Sequence, residues 1–408
     1  MNMMRSERAA VGRRLLASED GMALIHVGIA LLVLMALSSF VLDYGVIWLS
    51  RAQAQASADA GALAGATARA FDETADPPSA DGAAHSSALS SAQANLIFGA
   101  TPAVTVAWDC PGFVTGTGCV RVDVSNTALP TFFANIFGVT SQSIQATATA
   151  QARPANASDC MRPLAVMDRW AEAQTPPWDQ GDTFNRYVMN GKNKGQLLPN
   201  PDSYTAPTKN DPGTGLTVGD NYGNQFTLKT GSSFSGGWFQ PVDVPRNGST
   251  DTGANLYRDN LASCNGSAVS IGDYLPTETG NMVGPTNQGI GALIALDPNA
   301  QFNTKTDTID KSCAGNSPPC APFSPRIIAL PLFDPNEFQS DTANNTWPNC
   351  PGGGSCVHVT NIIGFFVDHI DHSNNVIGYL IRYPGVLTTK PGGVGGPSSF
   401  AQVITLVR

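Results

Sequence analysis

The sequence predicts an α+β protein: a long N-terminal transmembrane helix, a small α+β domain, then a β-rich, loop-heavy C-terminal domain with disulfides. Three observations predict it. Residues 22–42, MALIHVGIALLVLMALSSFVL, are almost entirely apolar, without proline and with one ionisable group, His26. Glycine and proline number 41 and 29 while only 13% of residues are charged, a mix that suits turns and strands rather than a helical bundle. All eight cysteines, Cys110, Cys119, Cys160, Cys264, Cys313, Cys320, Cys350 and Cys356, follow the apolar run. An even count suits disulfides in an oxidising compartment.

At about 1.5 Å per residue the apolar run is about 31 Å long, close to the hydrocarbon thickness of a bilayer. Arg5, Arg8, Arg13 and Arg14 precede it, whereas Arg51 is the sole basic residue in the twenty that follow. This bias predicts a cytoplasmic N-terminus (1–21) and an exported body. The run exceeds the 7–15 residues usual for a signal peptide, and the first small-x-small site lies near Ala52 to Ala56, well beyond its end. A retained, single-pass anchor is therefore expected.

No helix breaker ends the run. DYGVIWLSRAQAQASADAGALAGATARAF continues it, Ala-rich and free of proline until Pro77, so one helix is predicted over 22–70. The small residues Ala54, Ala58, Gly61, Ala62 and Gly65 would let another backbone approach closely, and the chain's own domain is the expected neighbour. Asp43, at the outer end of the span, is expected to mark its exit and stay solvated. His26 lies near the inner interface, where its cost is small.

The small domain is placed at 71–153. DETADPPSAD (72–81) is a proline-bearing break, and a second helix follows over 83–98. VTVAWDC (104–110) and CVRVDVSN (119–126) alternate as strands of a hairpin. LPTFFANIFG (129–138) opens on proline and closes on glycine, which predicts a helix. SIQATATAQA (143–152) reads as a further strand.

The exported domain is placed at 154–408. Residues 171–260 are dense in Gly, Pro, Asn and Asp, with isolated aromatics such as Trp178, Phe184, Tyr187, Trp238 and Phe239, expected to anchor long loops on a small core. PRIIALPLF (325–333), VHVTNIIGFFVDHI (357–370) and VIGYLIRYP (376–384) read as strands, the last two as a hairpin. Proximity suggests the pairs 110–119, 313–320 and 350–356, leaving Cys160 to reach Cys264. Eight cysteines admit on the order of a hundred connectivities, so other pairings stay open.

At Asp43, Gly45, Arg51, Gln55, Asp59, Ala62, Leu63 and Ala64 the sequence resembles the N-terminal motif of TadG-like and TadE-like proteins of the tight-adherence (Tad/Flp) pilus system. TFFANIFGVTSQSIQATATA (131–150) is similar to the end of the small domain that follows this helix in TadG-like proteins, so the resemblance covers 21–153. It implies a bacterial inner-membrane protein with a periplasmic bulk, acting in pilus assembly as a minor-pilin-like or scaffold component. Its implied partners are the inner membrane and pilus subunits or other Tad assembly proteins. The alternative reading is an anchored adhesin or ligand-binding module. Pilin-like precursors carry Glu five residues after the cleavage-site Gly; here Gly21 is followed by His26, so processing is not implied. The Asp-x-Ser-x-Ser run of a von Willebrand factor A module is lacking, DVSNT at Asp123 being the nearest string.

Other function classes find little support. With a net charge of −9 the chain is a poor partner for nucleic acid. No G-x-S-x-G elbow, Walker loop or H-E-x-x-H helix occurs, so neither an enzyme nor a cofactor is expected. Cys350, Cys356, His358, Asp368, His369, Asp371 and His372 are zinc-ligand types, but C-x5-C-x-H matches no familiar knuckle, and a metal site is not expected.

Overall fold

The structure, a computed structural model, describes residues 20–72, 78–112, 118–229, 234–246, 248, 251–264, 267–312, 324–389 and 399–407. Helix α1 (Asp20–Phe71) is continuous over 52 residues. Every described side chain from 22 to 42 is exposed, so this helix is long and apolar enough to cross a membrane. Its outer half is different: Ala54, Ala58, Ala62 and Ala66 are fully buried.

Those alanines pack on helix α2 (Ala83–Ala94) and on a sheet begun by β1 (Ala103–Ala107), β2 (Cys119–Pro130) and β3 (Ser141–Pro154), paired antiparallel in that order. Alternate residues of β2, Val120, Val122 and Val124, face the helices beside Ala88 and Ala92, as the two-residue period of a strand requires. Gly61 and Gly65 permit the approach. A Cβ on Gly61 would lie 2.9 Å from the Ala92 Cβ, and one on Gly65 2.8 Å from the Ala88 Cβ. The small-residue flank is thus filled from within the chain.

Two local expectations are corrected. The second helix stops at Ala94, short of 98, because Ile97 turns back into the core and pairs with Ala100. The helix expected over 129–138 is a single 3-10 turn, Ala134–Phe137. Leu129 and Pro130 instead finish β2, with Leu129 buried opposite Gln142. Burial of an apolar residue on a paired strand outweighs proline's preference for a helix start.

The second unit is a sheet of β4 (Leu164–Met167), β5 (Gln225–Leu228), β6 (Phe239–Pro241), β7 (Tyr274–Pro276), β8 (Ile327–Phe333), β9 (Cys356–Ile370) and β10 (Val376–Ile381). The spatial order is β5–β10–β9–β8–β4–β6, with β7 pairing the start of β9. Both faces are buried. Ile328, Leu330 and Leu332 point toward Tyr257 and Leu261 of one helix (Gly253–Ala262) and Ile290 and Leu293 of another (Val283–Leu296). Ala329 and Phe333 point the other way, onto Trp170, Phe184, Trp238 and Phe338. These aromatics fix the long loops to the core: Trp170 meets Phe184 edge-on at 5.4 Å.

The chain then returns. β11 (Tyr383–Pro384) and β12 (Ala401–Val407) join the first sheet, β12 running antiparallel to β3 from Gln402↔Pro154 to Val407↔Thr149. The membrane-proximal unit is therefore assembled from both 71–153 and 401–407, so sequence position 153/154 does not divide the two units in space. Three disulfides join Cys110 to Cys119, Cys160 to Cys264 and Cys350 to Cys356; Cys313 and Cys320 lie outside the described residues.

Candidate functional site

Asp43 is the first residue past the apolar run, and it is buried rather than solvated (9% exposed). Its Oδ1 accepts from the Phe132 N–H at 2.8 Å, and its Oδ2 accepts from Phe133 at 3.1 Å and Ala134 at 2.7 Å. These are the free N–H groups at the start of the 3-10 turn, so the carboxylate caps that turn from another element. The Phe132 N–H, ahead of those of Ala134 and Phe133, holds the Asp43 carboxyl below the usual carboxylate range against the opposing effect of burial. The exit marker is in fact a clamp between the helix and the body.

About three turns further on, Gln55 Nε2 donates to Asp59 Oδ1 at 2.8 Å and reaches the Thr147 carbonyl of β3 at 3.4 Å. Arg51 is exposed, and so is Gly45, where an added Cβ would meet nothing within 4 Å. The structure thus ties Asp43, Gln55 and Asp59 inward and leaves Gly45 and Arg51 outward. Gly21 lies in the second residue of α1, and His26 is exposed, its Nδ1–H donating to the Met22 carbonyl at 2.7 Å.

Residues 21–68 match the family described as putative Flp pilus-assembly TadE/G-like. No curated protein and no solved structure gives a match. The TadE/G-like segment therefore coincides with α1, from the span to the last buried turns.

The far end of the TadE/G-like helix is held too. Arg382, just after β10, donates through Nη1 to the carbonyl oxygens of Arg69 (3.1 Å) and Ala70. Arg69 in turn donates to the Cys119 carbonyl. A cation at a helix C-terminus satisfies orphan carbonyls and complements the helix dipole. Between Asp43 and Arg69 the helix rises about 39 Å, and the body grips it at both limits.

The zinc-type residues do not gather. Cys350 and Cys356 are bonded to one another. His369 pairs with its neighbour Asp368 at 2.8 Å on an exposed strand end. His358 meets Glu337 instead: its Nδ1 lies 2.8 Å from Glu337 Oε2, while Glu337 Oε1 accepts from the Tyr274 hydroxyl at 3.0 Å and from Asn349 at 3.3 Å. The His358 hydrogen bond holds the Glu337 carboxyl below its ordinary range. Asp334 lies within 4.8 Å of the same group, but its Oδ1 caps the helix Pro335–Asn344 through the Asn336 and Glu337 N–H groups. These bonds fasten that helix to β9. Glu337 was not singled out in the sequence, although Asp-Pro-x-Glu at 334–337 carries a helix-start signal.

Proposed function

We propose that this chain is a single-pass component of a bacterial Tad/Flp pilus assembly apparatus, with a minor-pilin-like or scaffold role in piliation and surface attachment. The observation that carries the reading is the TadE/G-like match over 21–68, which falls on a helix whose outer half is joined to its body at both limits. The N-terminus would lie in the cytoplasm and the bulk in the periplasm, the orientation favoured by the arginines before the span and by disulfides that persist in oxidising compartments. No catalytic role is proposed.

The function follows from rigidity. A body attached by a loose linker would sample many heights and tilts above the bilayer. Here the Asp43 clamp and the Arg382 cap make helix and body one piece, so the body stands at a fixed height. One flank of the outer helix stays open: Gly45, Ala52, Ala56, Leu63 and Thr67 are exposed and lie within about 60° of one another at 100° per residue. A helix of a pilus subunit would pack there, small residues allowing a close approach.

Deleting the gene should impair piliation and surface attachment, with restoration by the wild-type gene; a fully piliated deletion strain would refute the assembly role. A periplasmic reporter fused after residue 80 should be active, and an inactive fusion would reverse the topology.

A further inference from the structure

The loop Thr131–Val139, TFFANIFGV, contains no charged residue, yet it sits at the foot of the body beside the first residue past the span. The Asp43 carboxylate fixes it there through three successive N–H groups. Phe132 is 57% exposed and Val139 44% exposed, so the loop presents apolar side chains outward at that level. Beside it α1 carries Phe40, Tyr44 and Trp48, all exposed at four-residue spacing on one helix face, with Phe40 and Tyr44 stacked at 6.0 Å. Aromatic residues of this kind mark the membrane–water interface.

We infer that the 131–139 loop is a second membrane contact: it inserts Phe132 and Val139 into the headgroup–acyl boundary of the leaflet from which α1 emerges. Two independent observations favour lipid as the occupant. The exposed Phe132 and Val139 belong to a loop bonded directly to Asp43, the first residue past the span. Much of the loop's backbone is also already paired, which lowers the cost of entering a poorly hydrated layer. Its leading N–H groups go to Asp43. The Gly138 and Val139 N–H groups donate to Asn135 and Ala134 at 3.0 and 3.1 Å, and the Thr131 hydroxyl donates to the Val139 carbonyl at 2.6 Å. A helix alone fixes the body's height but leaves it free to tilt. A wedge beside the helix sets the tilt as well.

The inference rests on residues 22–42 crossing the bilayer, and the test separates the two ideas. The full-length chain is reconstituted in vesicles of phosphatidylethanolamine and phosphatidylglycerol, with a photo-crosslinking phenylalanine at position 132, 139, 40 or 197. Position 40 reports the span, and the exposed Leu197 of the distal unit reports background. Retention of the Cys110–Cys119 bond reports folding of each variant. Phospholipid adducts are expected at 132 and 139 in yields comparable to position 40, and at background level at 197. Phe132→Glu should abolish the adduct formed from position 139. Adducts at 40 but none at 132, or an adduct at 132 to protein instead of lipid, would overturn the wedge. Failure at 40 as well would overturn the span, and the wedge with it.

Discussion

The Arg382 guanidinium lies 3.1 Å from the carbonyl oxygen of Arg69, across 313 residues of sequence. It closes the end of the longest helix with a group from the distal unit. The terminal turn of α1 thus depends on the folding of strands made much later in the chain.

Arg382→Gln should loosen that turn. The pair is half-buried, and hydrogen bonds from a charged donor contribute about 1.5–3 kcal/mol, so a loss of about 2 kcal/mol is expected. Hydrogen exchange of the amides near Ala66 to Phe71 should quicken, while exchange near Asp43 stays unchanged. Equal acceleration at both places would argue against a local cap.

Gly61→Val and Gly65→Val should each destabilise the membrane-proximal unit, because even a Cβ would lie within 3.0 Å of Ala88, Ala92 or Val120 atoms. Overpacking costs about 1–3 kcal/mol, read as a lower thermal midpoint. Gly45→Leu should leave that midpoint unchanged, since its Cβ enters open space. In the assembly reading it reduces piliation without reducing the amount of folded protein.

Asp168 sets a pH dependence. Burial pushes its carboxyl up to about 6, against opposing hydrogen bonds from Leu216, Tyr204 and Arg169. A raised folded-state value means that the folded chain holds the proton more tightly than the unfolded one. Its contribution is therefore full below pH about 4 and is lost as pH rises through about 6, by about 3 kcal/mol. Denaturation followed by tryptophan fluorescence should show this decline, and Asp168→Asn should flatten it. A wild-type profile that rises over this interval would contradict the assignment.

Removing Cys160–Cys264 should cost more than removing Cys350–Cys356, since the closed segments span 104 and 6 residues. Loop entropy alone gives about 5 against about 2 kcal/mol. Paired serine variants compared by denaturant unfolding test the order, and an inverted order would mean that native-state packing around the shorter bridge dominates.

What could be read locally was read locally. The apolar run names the span, the alanines carry the helix past it, alternation marks β1, β2 and β3, and apolar β-branched runs mark β8, β9 and β10. Two of the short-loop pairs that proximity suggests, 110–119 and 350–356, are formed. Contacts between distant residues left no such mark. Nothing near Asp43 points to Phe132, nothing near His358 to Glu337, and nothing near Arg69 to Arg382. Each depends on the fold bringing separate segments together. The misread helix at 129–138 has the same cause: its local pattern is sound, but the pairing of Leu129 with Gln142 is a tertiary event. The strand Ala401–Val407 is short and β-branched, with no local sign of its neighbour.

That last strand has a consequence for biogenesis. A ribosome delivers β3 long before β12, and until Ala401 emerges one border of the first sheet stands bare, its N–H and C=O groups unclaimed. Such borders invite foreign strands. During that interval the nascent protein needs a chaperone or a spacer between neighbours, and any lesion that halts synthesis early leaves a sticky seam along the end of β3.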